Sequence, residues 1–163
     1  MKRIEHAVNL IMKAQSILTE CGDGLQVTTP GLVKELIIAK ILHHRFIQKK
    51  HDADACHFDN DDEKYEYLSC NEKGSFQMDR MYGINNTVEQ RSGSKHRIIR
   101  NKYFFHAIFY INKPLTPKEI YQIETDLIWE KAQTILLNPK NKSNHISFGR
   151  TWSKKVGKLV YKG

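Results

Sequence analysis

The segment Tyr103–Ile111, with the sequence YFFHAIFYI, constrains the fold of this chain more than any other. It is apolar on both faces, which is typical of a strand in the middle of a sheet that is covered from both sides. Two helical patterns and several strand patterns precede it, and a helix and short strands are predicted to follow. This order predicts an α/β or α+β domain with a mixed central sheet flanked by helices.

Amphipathic spacing and capping signals predict three helices. The first covers residues 4–20, and the second runs from Thr29-Pro30 to about His44, with Glu35 in its middle. The sequence Thr116-Pro117-Lys118-Glu119 has the pattern of a capping box, which predicts a third helix that runs to about Leu137.

The remaining segments are predicted to be strands and loops. Residues 83–96 are polar and contain Gly, Asn and Ser, which favours a loop. The tail from His145 is predicted to form two short strands. Short apolar runs predict the other strands, at residues 45–48, 53–58, 64–70 and 75–82.

Charge and cysteine content narrow the class of protein. The 163 residues suffice for a single domain, 1–163, and the net charge of +8 with a pI of about 9.4 favours a polyanionic partner. No apolar run approaches a membrane span, and the three irregularly spaced cysteines favour reduced thiols, so a cytoplasmic protein is expected. A zinc site from Cys56, His57, His51 and Cys70 is a weaker alternative, since the spacing fits no common zinc pattern.

Two carboxylates lie on neighbouring predicted strands. Asp54 begins one apolar run, and Glu66 lies inside the next, with a polar turn between the runs. Such a pair can bind Mg²⁺, with the backbone carbonyl of Tyr67 as a third oxygen ligand. The alternative is that both carboxylates are solvated strand ends, as expected for the nearby Asp59 and Asp62. Glu66 differs from these because a charge in mid-strand between two tyrosines is unfavourable without a purpose.

The order of a helix with Glu35, then Asp54-Ala55, then Tyr65-Glu66-Tyr67-Leu68-Ser69 resembles the PD-(D/E)xK nucleases, most closely the small type II restriction endonucleases of the PvuII kind. The resemblance covers residues 31–82, and the segment 103–111 is similar to a later core strand of that family. It implies a restriction-endonuclease-like core and a magnesium-dependent endonuclease that cuts double-stranded DNA as a homodimer.

The chain departs from this family at one position. The family's lysine would lie two residues after Glu66, where this chain has Leu68. If residues 71–74 form a hairpin turn, Leu68 pairs with Gln77 and Glu66 with Asp79, so Gln77 is predicted to orient the attacking water. Glu35 and Lys73 are weaker substitutes for the lysine.

Several polar and basic side chains are candidates for DNA contact. Arginine, glutamine and asparagine can read base edges, and a basic cluster beside a Gly/Ser loop suits phosphate contact. The tail basics Arg150, Lys154, Lys155 and Lys158 beside Trp152 form a second candidate surface. The predicted DNA-binding residues are Gln77, Asp79, Arg80, Asn85, Asn86, Arg91, Lys95, Arg97, Arg100 and Lys102.

The sequence therefore predicts a magnesium-dependent, sequence-specific DNA endonuclease of the type II restriction kind. Asp54, Glu66, Gln77 and Glu35 are the predicted catalytic residues, and Asp54, Glu66 and Tyr67 the predicted metal ligands. The N-terminal helix, residues 1–22, is the predicted dimerisation element, because its apolar stripe needs a partner surface. The alternatives are a non-catalytic DNA-binding module on the same fold and a DNA repair or junction nuclease.

Overall fold

The computed structural model describes residues 2–22, 25–47, 52–79, 81–83, 85–141 and 143–163. Helices and strands are interspersed along the chain, and a 3₁₀ turn, Gly93–Lys95, joins two of the helices. In chain order the elements are α1 (Lys2–Cys21), α2 (Leu32–Leu42), β1 (Arg45–Phe46), β2 (Ala55–His57), β3 (Asn60–Asn71), β4 (Phe76–Met78), α3 (Val88–Ser92), α4 (His96–Ile99), β5 (Tyr103–Phe109), β6 (Pro117–Glu124), α5 (Thr125–Leu136), β7 (Ile146–Phe148), α6 (Arg150–Val156) and β8 (Lys158–Lys162).

A mixed six-stranded sheet organises the described part of the chain. Its strand order is β1-β2-β3-β5-β6-β8, and β3 pairs with β5 in parallel while the other neighbours pair antiparallel. Strands β4 and β7 form a separate two-stranded sheet. Helices pack against the main sheet, so the prediction of an α+β domain with a mixed central sheet flanked by helices is confirmed.

Strand β5 lies inside this sheet and is buried on both faces, as its sequence predicts. Phe104 and Ile108 point into an apolar cluster that includes α5, the β4–β7 sheet and Leu68 of β3. Phe105 and Phe109 point into a second cluster, which α2 covers. The two clusters lie on opposite faces of the sheet, with α5 on one face and α2 on the other.

The predicted third helix begins later than its capping signal indicates. Residues Pro117–Glu124 form strand β6, and α5 begins only at Thr125. Strand β6 lies between β5 and β8, and it buries Ile120 and Ile123 in the two clusters. Pairing on both edges outweighs the local helix signal, and the proline is tolerated because it occupies the first position of the strand.

The hairpin that was predicted to follow β3 does not form. Residues 65–71 of β3 pair with β5, β2 pairs only with the first half of β3, and β4 belongs to a separate sheet with β7. Gln77 on β4 therefore pairs with Ser147 of β7, and neither Leu68 with Gln77 nor Glu66 with Asp79 is a pair. The prediction of a loop at 83–96 is also wrong, because this segment contains α3 and the start of α4. The tail forms the two predicted short strands, β7 and β8, but the helix α6 between them was not predicted.

Helix α1 has no buried residue. Its apolar side chains Ile4, Val8 and Ile11 are exposed, at 71%, 48% and 53%. Gln15 ties its C-terminal half to the following segment, since its side chain donates to the carbonyl of Leu25 and accepts from the amide of Val27. None of the described helices, α1 included, has the length and apolar character needed to cross a membrane.

Candidate active site

Strand pairing brings Asp54 next to β3. The backbone amide of Asp54 donates to the carbonyl of Tyr65 at 3.0 Å. The backbone amide of Tyr67 donates in return to the Asp54 carboxylate oxygen Oδ2 at 2.7 Å. These two bonds bracket Glu66, so Asp54, which directly precedes β2, lies opposite Glu66 of β3.

Glu66 points to the face of β3 opposite to the Tyr65 and Tyr67 rings. Its side chain is only 15% exposed. Burial first, and the nearby Asp54 carboxylate second, raise the Glu66 pKa from its ordinary value of 4.5 to about 8. Burial also raises the pKa of Asp54 to about 6, although the Tyr67 amide and Arg100 favour its charged form. Two carboxylates that repel each other away from water are a site where a cation is strongly favoured.

Glu35 adds a third carboxylate to this region. It lies in the first turn of α2, and not in mid-helix as predicted, because the helix begins at Leu32. Burial first and the Asp54 carboxylate second raise its pKa to about 8. The chain reaches this arrangement through Gly31, whose φ is +90°, and a Cβ atom there would lie 2.6 Å from the Glu35 oxygen Oε1.

Two arginines carry positive charge to the carboxylates. Arg100 follows α4, and its Nη2 lies 3.4 Å from Glu66 Oε2 and donates to the carbonyl of Asp52 at 2.8 Å. Arg97 is one helical turn earlier, and its charge also lowers the pKa of Glu66. Their charge only partly offsets the effect of burial, since the pKa of Glu66 stays far above 4.5.

The donor set suits magnesium, which is bound through one or two carboxylates and keeps several of its waters. Asp54 and Glu66 provide the two carboxylates, and the prediction that the Tyr67 carbonyl is a further ligand stays a prediction. Within the described residues, no group of three or more His, Cys, Asp or Glu side chains has an arrangement that can hold a metal ion. A metal at this site would therefore complete its shell with water or substrate oxygens.

The alternative zinc site finds no support in the described part of the chain. Cys56 and Cys70 are both buried, on different strands, and Cys70 belongs to the apolar cluster around Phe104. His57 is exposed at the end of β2. The fourth candidate, His51, lies outside the described residues.

Some predicted DNA-binding residues have internal roles. Arg91 is buried, stacks over the Tyr82 ring at 4.6 Å and donates to the carbonyls of Asn86 and Asn138. Its guanidinium is engaged in these internal contacts, which argues against the predicted contact with phosphate. The Asn86 side chain accepts from the amide of Gly83 and donates to Gln90, which fixes the same turn.

Other predicted DNA-binding residues stay accessible. Lys95 is exposed and lies over the Trp129 ring at 5.1 Å, and Lys102 is exposed and pairs with Glu63 at 2.7 Å. Asn85, Gln77 and Asp79 are exposed, and Arg80 lies outside the described residues. The exposed Gln77 has lost the pairing that supported its predicted role in orienting water.

Two of the four tail basics make contacts within the protein, whereas Lys155 and Lys158 are exposed. Arg150 donates to the carbonyl of Glu72, and Lys154 pairs with Glu119. Ser153, on the same helix, is hydrogen-bonded to His106 at 2.8 Å inside the core. The segment from Arg97 to Lys102 is therefore the stronger candidate for a DNA surface, because it adjoins the carboxylates.

Sequence reasoning missed the partnership between Arg100 and Glu66. The two residues are 34 positions apart, and no local pattern links them. Neither protein-family models nor curated proteins give a match to this chain. The proposals for function therefore depend on the geometry of the site.

Proposed function

We propose that this protein is a magnesium-dependent, sequence-specific endonuclease that cuts double-stranded DNA, in the manner of a type II restriction enzyme. The observation that carries the proposal is the buried pair of carboxylates, Asp54 and Glu66. The pKa values of both are raised, and basic side chains lie beside the pair. Buried acidic pairs of this kind are typical of functional sites, because their charge is unfavourable until a ligand binds.

A bound magnesium ion would neutralise the scissile phosphate and lower the pKa of a coordinated water. Asp54 and Glu66 would hold the ion, and the Tyr67 amide fixes the direction of the Asp54 carboxylate. Mg²⁺ is the only cofactor that this donor set requires.

Glu35, whose carboxyl group interacts electrostatically with Asp54, is the proposed proton acceptor. Its pKa of about 8 is close to neutral pH, where a general base is most effective. In the proposed reaction a water oxygen bonds to phosphorus, and one water proton passes to the Glu35 carboxylate. The bond from phosphorus to one sugar oxygen then breaks with its electron pair, and that oxygen takes a proton from solvent.

The basic residues near the site would bind the DNA backbone. Lys95, Arg97 and Lys102 belong to the same segment of the chain as Arg100, which contacts Glu66, and the net charge of +8 favours a polyanion. A cut in both strands of a palindrome is most simply made by a two-fold dimer, and the exposed apolar stripe of α1 is the proposed contact.

The test is cleavage of supercoiled plasmid DNA with Mg²⁺. Asp54→Asn and Glu66→Gln keep the shape of each side chain and remove its charge, so each should abolish cleavage while DNA binding persists. Asp62→Asn is the matched control, because Asp62 is an exposed carboxylate on the same strand, and it should cut like the wild type. Full activity of either site variant would contradict the proposal.

A non-catalytic DNA-binding module is the second candidate. The observation that favours it is Leu68, which is buried in an apolar cluster where the resembled nucleases carry a lysine. DNA binding without cleavage at any Mg²⁺ concentration would support this candidate over an enzyme.

A further inference from the structure

On the face of β3 that carries Glu66, position 68 supplies no positive charge, because it is a buried leucine. Side chains two residues apart on a strand share a face, so Leu68 is next to Glu66 on the same side of the sheet. Leu68 is 7% exposed and packs with Phe104 and Cys70. Positive charge for this site must therefore come from another element.

Arg100 brings that charge from the segment between α4 and β5. Its Nη2 donates to the Asp52 carbonyl at 2.8 Å, which fixes the guanidinium beside the loop that leads to Asp54. The same nitrogen lies 3.4 Å from Glu66 Oε2, a long contact for a charged hydrogen bond. The Arg100 side chain is 24% exposed, so part of it faces solvent at the site.

The contact between Arg100 and Glu66 competes with a cation at Glu66. A divalent ion and a guanidinium both need the Glu66 carboxylate, and they repel each other at close range. When a cation takes Glu66, the guanidinium loses an anionic partner a few ångströms from the place where a phosphate would enter. The planar fork of an arginine suits two oxygens of a phosphate.

We propose that Arg100 is the phosphate-stabilising residue of this site, and that it exchanges the Glu66 carboxylate for the scissile phosphate when a divalent cation binds. This inference rests on the proposed nuclease function. Arg100 keeps its charge throughout and moves no proton. Its role is to stabilise the negative charge that develops on the phosphate oxygens as water attacks.

The exchange predicts effects in opposite directions when Arg100 is replaced. Arg100→Gln should bind Mg²⁺ about tenfold more tightly without DNA, because Glu66 no longer shares its charge and a neighbouring positive charge is gone. The same variant should cut DNA about a hundredfold more slowly or worse at saturating Mg²⁺. A purely structural role would weaken both properties together.

The experiment measures both properties on the same full-length proteins. Calorimetric titration with Mg²⁺ gives the affinity, and single-turnover cleavage of plasmid DNA at saturating Mg²⁺ gives the rate. Arg100→Lys keeps the charge without the fork and should recover part of the rate, and it replaces the glutamine variant if that one fails to fold. Lys131→Gln removes an exposed charge from α5 as a control and should change neither property.

Each outcome decides between the alternatives. Tighter Mg²⁺ binding with slower cleavage in Arg100→Gln supports the exchange. Unchanged cleavage, in a wild type that cuts, overturns the role of Arg100 at the phosphate. If the wild type cuts no DNA, the proposed function fails separately, and the phosphate role fails with it. In that case the Mg²⁺ titration alone tests the competition at Glu66. An unchanged or weakened Mg²⁺ affinity in Arg100→Gln overturns that competition.

Discussion

Replacing Glu66 by glutamine should stabilise the metal-free protein at alkaline pH although it removes activity. The folded protein holds the pKa of Glu66 at about 8, against 4.5 when the side chain is solvated. The folded state therefore binds more protons than the unfolded state between these two values. Since stability falls with pH wherever the folded state binds more protons, it should decline as pH rises from 4.5 to 8.

The size of this loss of stability follows from the shift in the Glu66 pKa. One pKa unit corresponds to about 1.4 kcal/mol, so the whole shift corresponds to roughly 4–5 kcal/mol of lost stability. Glutamine has the same shape and cannot ionise, so the variant avoids this loss. The attraction between Arg100 and the Glu66 carboxylate is already included in this pKa, so it does not reduce the gain further. We expect a gain of about 4 kcal/mol at pH 8 and of less than about 1 kcal/mol at pH 5.

The assay is urea unfolding of wild type and Glu66→Gln from pH 5 to pH 9 in the presence of a chelator. Glu63→Gln is the matched control, because hydrogen bonds from Lys102 and Tyr65 hold the pKa of Glu63 below its usual value. That control should lose a little stability at alkaline pH. Adding Mg²⁺ should stabilise the wild type and leave Glu66→Gln almost unchanged. If the two curves run parallel across the pH range, Glu66 is not desolvated in the way described here.

Three further predictions concern the DNA surface, the turn before α2 and the dimer. Arg97→Gln should reduce the slope of log affinity against log salt by about 0.9, measured by DNA binding at several salt concentrations, and an unchanged slope would place the DNA elsewhere. Gly31→Ala should cost about 1–2 kcal/mol in urea unfolding and slow cleavage, because a Cβ at this positive φ displaces Glu35, so full stability and activity would refute the contact. Ile4→Asp and Ile11→Asp should convert a dimer to monomers in analytical ultracentrifugation, and a monomeric wild type would exclude this interface.

Local sequence patterns were sufficient to predict the elements whose signal lies within a few neighbouring residues. The apolar run of β5 depends on residues close in the chain, and its prediction as a buried central strand is confirmed. The short spacing between Asp54 and Glu66 likewise brings Asp54 to the strand that carries Glu66. The capping box at Thr116 failed because β6 fills a gap between two strands, which no window around it reveals.

The details of the site required long-range information. The turn after β3 has a hairpin sequence, but β3 continues its pairing with β5 in parallel, and β4 pairs with β7 in a separate sheet. Gln77 was therefore expected beside β3 in the main sheet, whereas it lies in the β4–β7 sheet. Arg91 and Arg100 look alike in the sequence, yet one is buried in a turn and the other meets Glu66, because the helices between them wind through a segment predicted to be a loop.

The central claim is that this site cuts DNA with a divalent cation at a defined sequence. The most direct measurement is to incubate the purified protein with a mixed pool of plasmid DNA and Mg²⁺, and to sequence the ends that appear. We predict ends that share one short palindromic sequence and that disappear with chelator or with Glu66→Gln. Ends no more frequent than in the chelated sample would contradict the claim, and ends without a shared sequence would contradict its specificity.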